Sequence, residues 1–348
     1  MINIIAPINQ LGYGIAGLNI VKSLSKITPI ALWPIGPIQV TNQKDADACQ
    51  NAVNGAPYYD HKKPCLRIWH QHDMAQFATS TRRIGFPIFE LDTFNDIELH
   101  NLRSVDELFV CSEWAKNVIQ SNKIDVPTQV VPLGVDASIF KPVEPVKKEK
   151  TIFFNCGKWE IRKGHDILIK AFNRVIESHD NIELWMMCEN PFNLPEEELQ
   201  WRSLYNHPKI RIIPRVETQE EVYNIMTKID CGVFPSRGEG WNLEALELMA
   251  CGKHVVVTDY SAHTEFCTQD NASLVTITDK EPAYDGKWFH GHGNWAKIEE
   301  EQIDQIAQHM SDFHVKNINS DGYSNEAGIR TALEFSWDNT VRKILEHD

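Results

Sequence analysis

The sequence predicts an α/β protein built from two Rossmann-like domains. Short apolar runs alternate with polar or amphipathic stretches along its 348 residues, a pattern typical of parallel sheets covered by helices. A chain of this length is typical of two ordinary domains. Residues 141–150 are rich in proline and charge and have the composition of a linker, so we expect an N-terminal domain at 1–145 and a second domain that begins at 146.

The composition argues against a membrane-embedded, secreted or generally polyanion-binding protein. No apolar run approaches the ~20 residues of a membrane span, and the N-terminus lacks a signal peptide. The formal net charge of −14 opposes a general nucleic-acid or anionic-membrane surface. The eight cysteines are scattered without a C-x-x-C pair, as in reduced core thiols. We therefore expect a cytoplasmic protein with neither disulfides nor a zinc site.

The N-terminal half opens with the pattern of a Rossmann-like domain. Residues 2–7 predict a strand, Gly12 and Gly14 form a Gly-x-Gly loop, and an amphipathic stretch as far as Lys26 predicts a helix. The loop is either part of a ligand site or a tight turn without a ligand. Further strands are predicted at 30–33, 66–69, 86–91, 107–111 and 128–133.

Two histidines follow the strand at 66–69. His70 and His72 would point in opposite directions in an extended chain, and H-x-H without further ligands is weak evidence for zinc. We interpret them as ordinary polar groups at a strand end.

A basic loop follows the first strand of the second half, which is predicted at 151–156. Lys158, Arg162 and Lys163 lie between this strand and an amphipathic helix. Cations at the carboxyl end of a parallel strand would neutralise a diphosphate and stabilise the charge on a departing nucleotide. The alternative is a solvated basic turn. Further strands are predicted at 182–188 and 210–213, and residues 280–295 have no clear period, which indicates a loop or an insertion.

A complete βαβ unit lies between Asp230 and Asp259. The apolar runs at 231–235 and 254–258 predict buried strands, and 242–250 has a helical pattern. Open parallel sheets bind ligands outside the carboxyl ends of their strands. The turn at 236–241 is therefore the expected ligand site.

Two carboxylates in this unit point to a ligand with hydroxyl groups. Glu247 shares a helical face with apolar neighbours, where a carboxylate without a partner is costly. Glu239 precedes the helix, beside the free amides of Gly240, Trp241 and Asn242, which would suit a phosphate. A phosphate and a polyol together suggest a sugar nucleotide. The alternative is that both glutamates are surface charges.

The whole string PSRGEGWNLEALELMACGKHVVVTD resembles the E-x7-E signature of retaining glycosyltransferases of the GT-B fold, family 4. The chain departs from that pattern at Asn242, Leu248 and His254, where the family usually has Gly, Ala and Pro. GKWEIRKGHDILIKAF resembles a second family segment, with Lys163 in the family lysine position and Lys158 in place of the usual arginine.

The resemblance implies that the two domains face each other across a cleft, and it implies a role for each candidate residue. Glu247 would bind the ribose diol, and Glu239 would bind the donor sugar near the reacting carbon. The remaining implied donor contacts are Lys158, Arg162 and Lys163 at the diphosphate, Gly240, Trp241, Asn242 and Leu243 at the helix start, and Gly12 and Gly14 from the first domain. The chain has FELDT where the family often has a histidine, so Glu90, or Asp92, is the candidate in its place. Residues ~328–348 resemble a helix that packs back on the first domain, which would leave 146–327 as the nucleotide-sugar domain.

The implied function is transfer of a hexose or pentose, with retention of configuration, from a UDP- or GDP-type donor to an unknown acceptor such as a glycan or glycolipid. No metal and no other cofactor is expected. One alternative acceptor is DNA with a hydroxymethylated base, as in phage-type DNA glycosyltransferases. It depends on a locally basic segment at 61–90 that contains Lys62, Lys63, Arg67, Arg82 and Arg83. The sequence is also compatible with a GT-B epimerase or phosphorylase and with a non-catalytic sugar-nucleotide-binding protein.

Overall fold

The computed structural model describes residues 1–78 and 81–346 and divides them into two compact units. Unit 1 contains residues 1–136 and the C-terminal residues from Phe335 onward, and unit 2 contains Ala137–Glu334. The sequence prediction places the division between 145 and 146 and the return to the first domain near 328.

Strands and helices alternate along most of the chain. The strands are β1 (Ile2–Ala6), β2 (Ile30–Pro34), β3 (Cys65–Trp69), β4 (Arg83–Pro87), β5 (Glu107–Val110), β6 (Thr128–Val130), β7 (Thr151–Gly157), β8 (Ile182–Cys188), β9 (Ile210–Ile212), β10 (Cys231–Phe234), β11 (His254–Thr258), β12 (Ser273–Val275), β13 (Lys280–Tyr284) and β14 (His290–Ala296). The helices are α1 (Gly12–Ser25), α2 (Gln43–Gly55), α3 (Asp96–Leu102), α4 (Glu113–Ser121), α5 (His165–Ile176), α6 (Pro195–Leu204), α7 (Gln219–Met226), α8 (Leu243–Ala250), α9 (His263–Phe266), α10 (Glu300–Asn319), α11 (Glu326–Glu334) and α12 (Trp337–Glu346).

Each unit is organised around a six-stranded parallel sheet. The strand order is β2-β1-β3-β4-β5-β6 in unit 1 and β12-β11-β10-β7-β8-β9 in unit 2. The central strands are almost entirely buried and read as continuous apolar runs, because helices cover both faces of a parallel sheet. The predicted fold class, two Rossmann-like α/β domains, is confirmed.

Strand β4 lies further towards the N-terminus than the sequence predicted. It spans Arg83–Pro87, whereas the prediction was 86–91. The backbone beyond Pro87 bonds to a side chain instead of a neighbouring strand, since the N–H of Ile88 donates to the Tyr13 hydroxyl at 3.2 Å and the Ile88 carbonyl accepts from the same hydroxyl. Glu90 therefore lies past the carboxyl end of β4 and not within the strand.

Residues 280–296 form an antiparallel hairpin of β13 and β14, which the sequence did not predict. The sequence of β14, HGHGNWA, lacks an apolar alternation, and only Trp295 and Ala296 at its end are buried. The last residues of the hairpin are bonded to the loop after β10, since the N–H of Ala296 donates to the Arg237 carbonyl at 2.8 Å.

The predicted C-terminal helix is two helices, α11 and α12. The break lies at Phe335 and Ser336, where the chain enters unit 1. The Phe335 carbonyl accepts from the Val135 N–H at 2.9 Å, and the Ser336 hydroxyl accepts from the Asn339 N–H at 3.2 Å in the first turn of α12. Among the described residues no helix is long and apolar enough to cross a membrane.

Candidate functional site

The candidate site lies in unit 2, at the point where the strand order reverses. The chain continues from β7 to β8 on one side, whereas β10 pairs with β7 on the other side. The loops at 158–164 and 235–242 therefore border a crevice at the carboxyl edge of the sheet, where such sheets bind ligands. The two loops are joined directly, because the Arg237 N–H donates to the Arg162 carbonyl at 2.7 Å.

Glu239 lies between two cations from the neighbouring loop. Its side chain is buried, with Lys163 Nζ 3.0 Å from Oε1 and Arg162 Nη1 3.0 Å from Oε2. The Ser236 hydroxyl donates to Oε1 at 2.7 Å, and the Glu239 N–H donates to the Ser261 hydroxyl at 2.8 Å. Three loops therefore fix the position of one carboxylate.

These contacts decide the charge of both partners. Burial alone would raise the pKa of Glu239, but the charges of Lys163 and Arg162 outweigh it and hold the pKa well below its usual value. Burial alone would lower the pKa of Lys163, but the carboxylates of Glu239 and Glu244 hold it above its usual value. The site therefore keeps a carboxylate and an ammonium group in contact at neutral pH.

Lys158 joins the same chain of charges through Glu160. The buried Glu160 carboxylate accepts from Lys158 Nζ at 2.7 Å and from Arg162 Nη2 at 2.8 Å. Burial would raise the pKa of Glu160, but the two cations hold it below its usual value. Lys158 is thus separated from Glu239 by Glu160 and Arg162, whereas Lys163 contacts Glu239 directly.

The basic loop is held in place by a glycine and a neutral histidine. Gly164 has a φ of +72°, and a Cβ at this position would lie 2.0 Å from the Pro235 carbonyl oxygen, so the two loops approach too closely for any other residue. His165 Nδ1 accepts from the Glu160 N–H at 3.1 Å, and Nε2 lies 3.0 Å from Asn155 Oδ1. Burial lowers the pKa of His165 to about 4, so the ring is uncharged at neutral pH.

Asn242 begins helix α8 in a left-handed conformation, with φ +83° and ψ +76°. This explains why glycine suits the position, and asparagine tolerates it better than most residues. Its Oδ1 accepts from the Ala245 N–H at 3.1 Å, and its Nδ2 lies 2.8 Å from His263 Nε2. Burial lowers the pKa of His263 to about 4, so this nitrogen is free to accept the amide hydrogen.

Glu247 lies on α8 as the sequence predicted, facing inward. Its side chain is 7% exposed, and no hydrogen-bond or ion-pair partner for it is found within residues 1–78 and 81–346. Burial raises the pKa of Glu247 well above its usual value, and the nearby charge of Glu244 raises it further. A largely buried carboxyl group without a partner among the described residues is available to a ligand that brings hydrogen-bond donors.

The predicted amides lie together at the start of α8. Gly240, Trp241 and Leu243 are all buried, and in the described part of the chain the N–H groups of Gly240 and Leu243 have no acceptor. First-turn amides of a helix are donors that an anion can satisfy.

The predicted residues of unit 1 differ in the space around them. Gly12 is exposed and has no neighbour within 4 Å of a Cβ built there, whereas a Cβ at Gly14 would lie 2.2–2.4 Å from atoms of Asn9. Gly14 therefore allows α1 to pack on the loop after β1. Glu90 lies near the Tyr13 hydroxyl. Burial is the main cause of the raised pKa of that hydroxyl, and the charge of Glu90 raises it further.

The rings of His70 and His72 lie side by side, with centroids 5.2 Å apart and planes at 18°. The prediction that they point in opposite directions is wrong, because β3 ends at Trp69 and Gln71–Asp73 form a 3-10 turn.

The basic segment at 61–90 is not an open cationic surface at its three arginines. Arg67 is buried with Asp73 at 2.8 Å, and Arg83 contacts Asp106 at 3.1 Å. Arg82 forms an ion pair with Glu107. The count of charges in the sequence segment did not include Asp106 and Glu107, because these two residues lie outside it.

Sequence reasoning missed the polar residues that hold the site together, namely Glu160, Ser236, Arg237, Ser261 and His263. Arg237 is an example, since it binds both carboxylate oxygens of Asp166 at 2.9 Å. The sequence signal that could have identified them is their position in loops that follow the predicted strands β7, β10 and β11. Within residues 1–78 and 81–346 no group of three or more His, Cys, Asp or Glu side chains is arranged to hold a metal ion.

Comparison with known proteins identifies similar glycosyltransferases. Residues 149–285 match the family model described as Glycosyl transferases group 1. A putative glycosyltransferase of the Sulfolobus islandicus filamentous virus is 23% identical over 218 residues, which are 60% of this chain and 58% of that protein. A GDP-mannose-dependent alpha-(1-6)-phosphatidylinositol dimannoside mannosyltransferase of Mycobacterium tuberculosis is 27% identical over 154 residues, 42% of this chain and 39% of that protein.

The fold also has solved counterparts. A structure from E. coli, described as trehalose-6-phosphate bound with UDP-2-fluoro glucose, has a TM-score of 0.67 at 11% identity and covers 99% of this chain and 98% of its own. The part of this chain that matches spans less than two thirds of the length of each of the two relatives above. The similarity to solved structures confirms the predicted GT-B type of fold, and the match to the family model covers residues 149–285, less than half of the chain.

Proposed function

We propose that this protein transfers a hexose or pentose from a nucleoside diphosphate sugar, with retention of anomeric configuration. The observation that carries the proposal is the buried Glu239 carboxylate. Lys163 and Arg162 hold it at the point where the strand order of unit 2 reverses, which we call the switch point. Eight residues along the chain, Glu247 is buried without a partner among the described residues. A fixed cationic group and two carboxyl groups around one loop suit a diphosphate that links two polyols.

Glu247 is the proposed ligand of the ribose diol. Without a ligand, burial raises the pKa of this carboxyl group and favours its neutral form. Two ribose hydroxyls that donate to the carboxylate would stabilise its charged form, since hydrogen bonds to the charged form lower a pKa. Nucleotide binding would therefore lower the pKa of Glu247 and release a proton at a pH between the pKa values of the free and the bound protein.

Lys163 is the proposed counter-charge for the leaving nucleotide. Charge develops on the diphosphate as the glycosidic bond breaks, and a prepositioned ammonium group stabilises that charge more than it stabilises the bound donor. Arg162 and the first-turn amides of α8 contribute further donors, and Lys158 contributes at longer range through Glu160. These positive groups would take the place of a metal, so we propose that neither a metal nor another cofactor is required.

Retention follows from the resemblance of the E-x7-E segment, with Glu239 at the donor sugar near the reacting carbon. Gly12, Gly14 and Glu90 are proposed contacts from unit 1 to the donor or acceptor. Gly12 suits this role because the space beside it is open.

The donor is proposed to carry UDP or GDP, since the Mycobacterium tuberculosis relative is GDP-mannose-dependent and the E. coli structure contains UDP-2-fluoro glucose. A glycan or glycolipid acceptor fits better than DNA, because the arginines of the basic segment are paired with carboxylates. The eight cysteines are free and buried, which fits a reducing cytoplasm.

The experiment is a titration of the protein with UDP-glucose, GDP-mannose and related donors, followed by mass spectrometry for slow donor hydrolysis. The proposal predicts binding of at least one donor and release of its nucleoside diphosphate by the wild-type protein. Glu247→Gln should weaken binding, while Glu220→Gln, an exposed carboxylate on α7, should not. Binding without hydrolysis or transfer would favour a non-catalytic binding protein, and conversion of the donor to an epimer would favour an epimerase.

A further inference from the structure

Unit 2 contains a second pocket, which lies beside the candidate donor site and is not explained by it. Its volume is about 470 Å³, within the range of roughly 300–1,000 Å³ typical of small-molecule sites. The pocket lies between helix α6, the loop after β8 and the turn of the β13–β14 hairpin. Its lining combines the tryptophans Trp159, Trp201 and Trp288 with polar groups that include Glu197, Gln200 and Ser203.

Aromatic side chains contribute to the lining of this pocket. Trp159 and Trp201 stack with centroids 5.8 Å apart and planes at 6°. Trp288 is 51% exposed, and its ring meets the exposed ring of Phe192 edge-on, with centroids 5.7 Å apart. A tryptophan half exposed on a pocket wall offers a large apolar face at little entropic cost to the ligand site.

The turn that carries Trp288 is fixed by hydrogen bonds. Asp285 Oδ1 accepts from the backbone N–H groups of Lys287 and Trp288 at 2.8 Å and of Phe289 at 2.9 Å. Lys287 Nζ then donates to Glu197 on α6 at 2.6 Å and to Asn193 at 2.9 Å. The hairpin turn is therefore tied to α6 before any ligand arrives, which lowers the cost of binding.

The charged groups of the pocket already have partners within the protein. Glu160 is paired with Arg162 and Lys158, Glu197 with Lys287, and Asp285 with three backbone amides. Among these described lining residues, neither an anion nor a cation would find an unpaired counter-charge. The Gln200 side chain, by contrast, is exposed and has no hydrogen-bond partner in the part of the chain that the structure describes.

From this combination we infer that the pocket binds a neutral carbohydrate. A pyranose ring stacks its C–H face on Trp288, and its hydroxyls bond to Gln200 and Ser203. The pocket adjoins the candidate donor site through Trp159, Glu160 and Ile161 of the 158–164 loop. Its remaining lining lies on α6, the loop after β8 and the hairpin turn, away from Glu239 and Glu247, and we assign it as a separate site. The inference goes beyond the proposed function, because it concerns binding of a glycan and does not depend on transfer.

The test measures binding of neutral trisaccharides, namely maltotriose, mannotriose and chitotriose, by calorimetry and tryptophan fluorescence. We expect at least one to bind the wild-type protein. Trp288→Ala should weaken it about tenfold or more, the size expected for loss of an aromatic anchor. Gln200→Ala should weaken it less. Tyr284→Ala is the matched control, since Tyr284 is 64% exposed on the same hairpin but does not line the pocket, and it should bind as the wild type does.

Nucleotide titrations separate this inference from the proposed function. Trp288→Ala should bind UDP and GDP normally, whereas Glu247→Gln should bind the trisaccharide normally. If no trisaccharide binds, or if Trp288→Ala binds it unchanged while its urea midpoint matches that of the wild type, the inference is wrong. Loss of nucleotide binding in Trp288→Ala would show that the pocket belongs to the donor site, and binding of choline in preference to every trisaccharide would show a cation site. Both results would overturn the inference.

Discussion

Unit 1 and unit 2 both contain a six-stranded parallel sheet, but they bury charged side chains in different ways. In unit 1 the buried charges lie apart, each with its own partner: Asp45 with Lys22, Arg67 with Asp73, and Glu107 with Arg82. In unit 2 five buried groups, Glu160, Arg162, Lys163, Glu239 and Glu247, converge on one edge of the sheet, whereas buried Asp230 and Lys253 lie at the opposite edge. Isolated buried pairs can serve packing alone, whereas convergence on a switch point indicates a ligand site.

Lys163→Ala should produce the largest change in activity. Loss of one prepositioned donor to a developing charge typically costs ~10²–10³ in kcat, or about 2.7–4 kcal/mol. Glu239 would keep Arg162 and Ser236 as partners, so the fold should survive. Steady-state kinetics should show a larger effect on kcat than on KM. Lys158→Ala is the control and should cost less, because Lys158 contacts Glu160 and not Glu239. A change confined to KM would mean that Lys163 only binds the ground state.

Glu247→Gln should have the next largest effect, on donor binding. Loss of a charge-assisted hydrogen bond costs about 1.5–3 kcal/mol, roughly ten- to hundredfold in affinity. Calorimetry in buffers of different ionisation enthalpy should also show proton release on nucleotide binding by the wild type and none by the variant, because the pKa of free Glu247 is raised. Equal affinity and equal proton release in both proteins would exclude Glu247 as the ribose ligand.

Acid should destabilise unit 2 through its buried neutral histidines. Burial lowers the pKa of His165, His263 and His314 to about 4 and that of His254 to about 3, from an ordinary 6.5. Below pH 6.5 the unfolded chain binds protons that the folded unit does not bind until about pH 4, so stability falls as the pH drops through this window. Each fully buried ring should contribute on the order of 1–3 kcal/mol.

Hydrogen exchange at pH 7 and pH 5 can localise that loss. Protection of β7, β10 and β11 should decrease at pH 5, and His263→Gln should reduce the difference between the two pH values. A pH-independent free energy of unfolding for unit 2 would contradict the assignment of neutral rings.

The smallest effect is expected in unit 1, for Arg83→Ala. Arg83 and Asp106 are 43% and 42% exposed, and exposed pairs contribute about 0.2–1 kcal/mol, less at high salt. Urea denaturation should therefore show a shift much smaller than that caused by Arg162→Ala, which leaves two buried carboxylates short of a partner. Equal losses of unfolding free energy in the two variants would contradict the distinction between the two units.

The sequence predicted the alternating fold because helix and strand periods are local properties. It predicted the position of Glu239, Glu247 and Lys163 at the carboxyl edge of a sheet for the same reason, since each lies in or just after a recognisable element. The partners Glu160, Ser261 and His263 were missed because they come from different loops, and pairing between loops leaves no periodic signal. The hairpin was missed because β14 has glycine and histidine where an apolar alternation was expected.

The most direct test of the central claim follows the sugar released from an α-linked donor by proton NMR. With water as the acceptor, the wild-type protein should form the α-anomer first, before mutarotation mixes the anomers, and Lys163→Ala should form it far more slowly. First appearance of the β-anomer would contradict the proposed retaining transfer at Glu239.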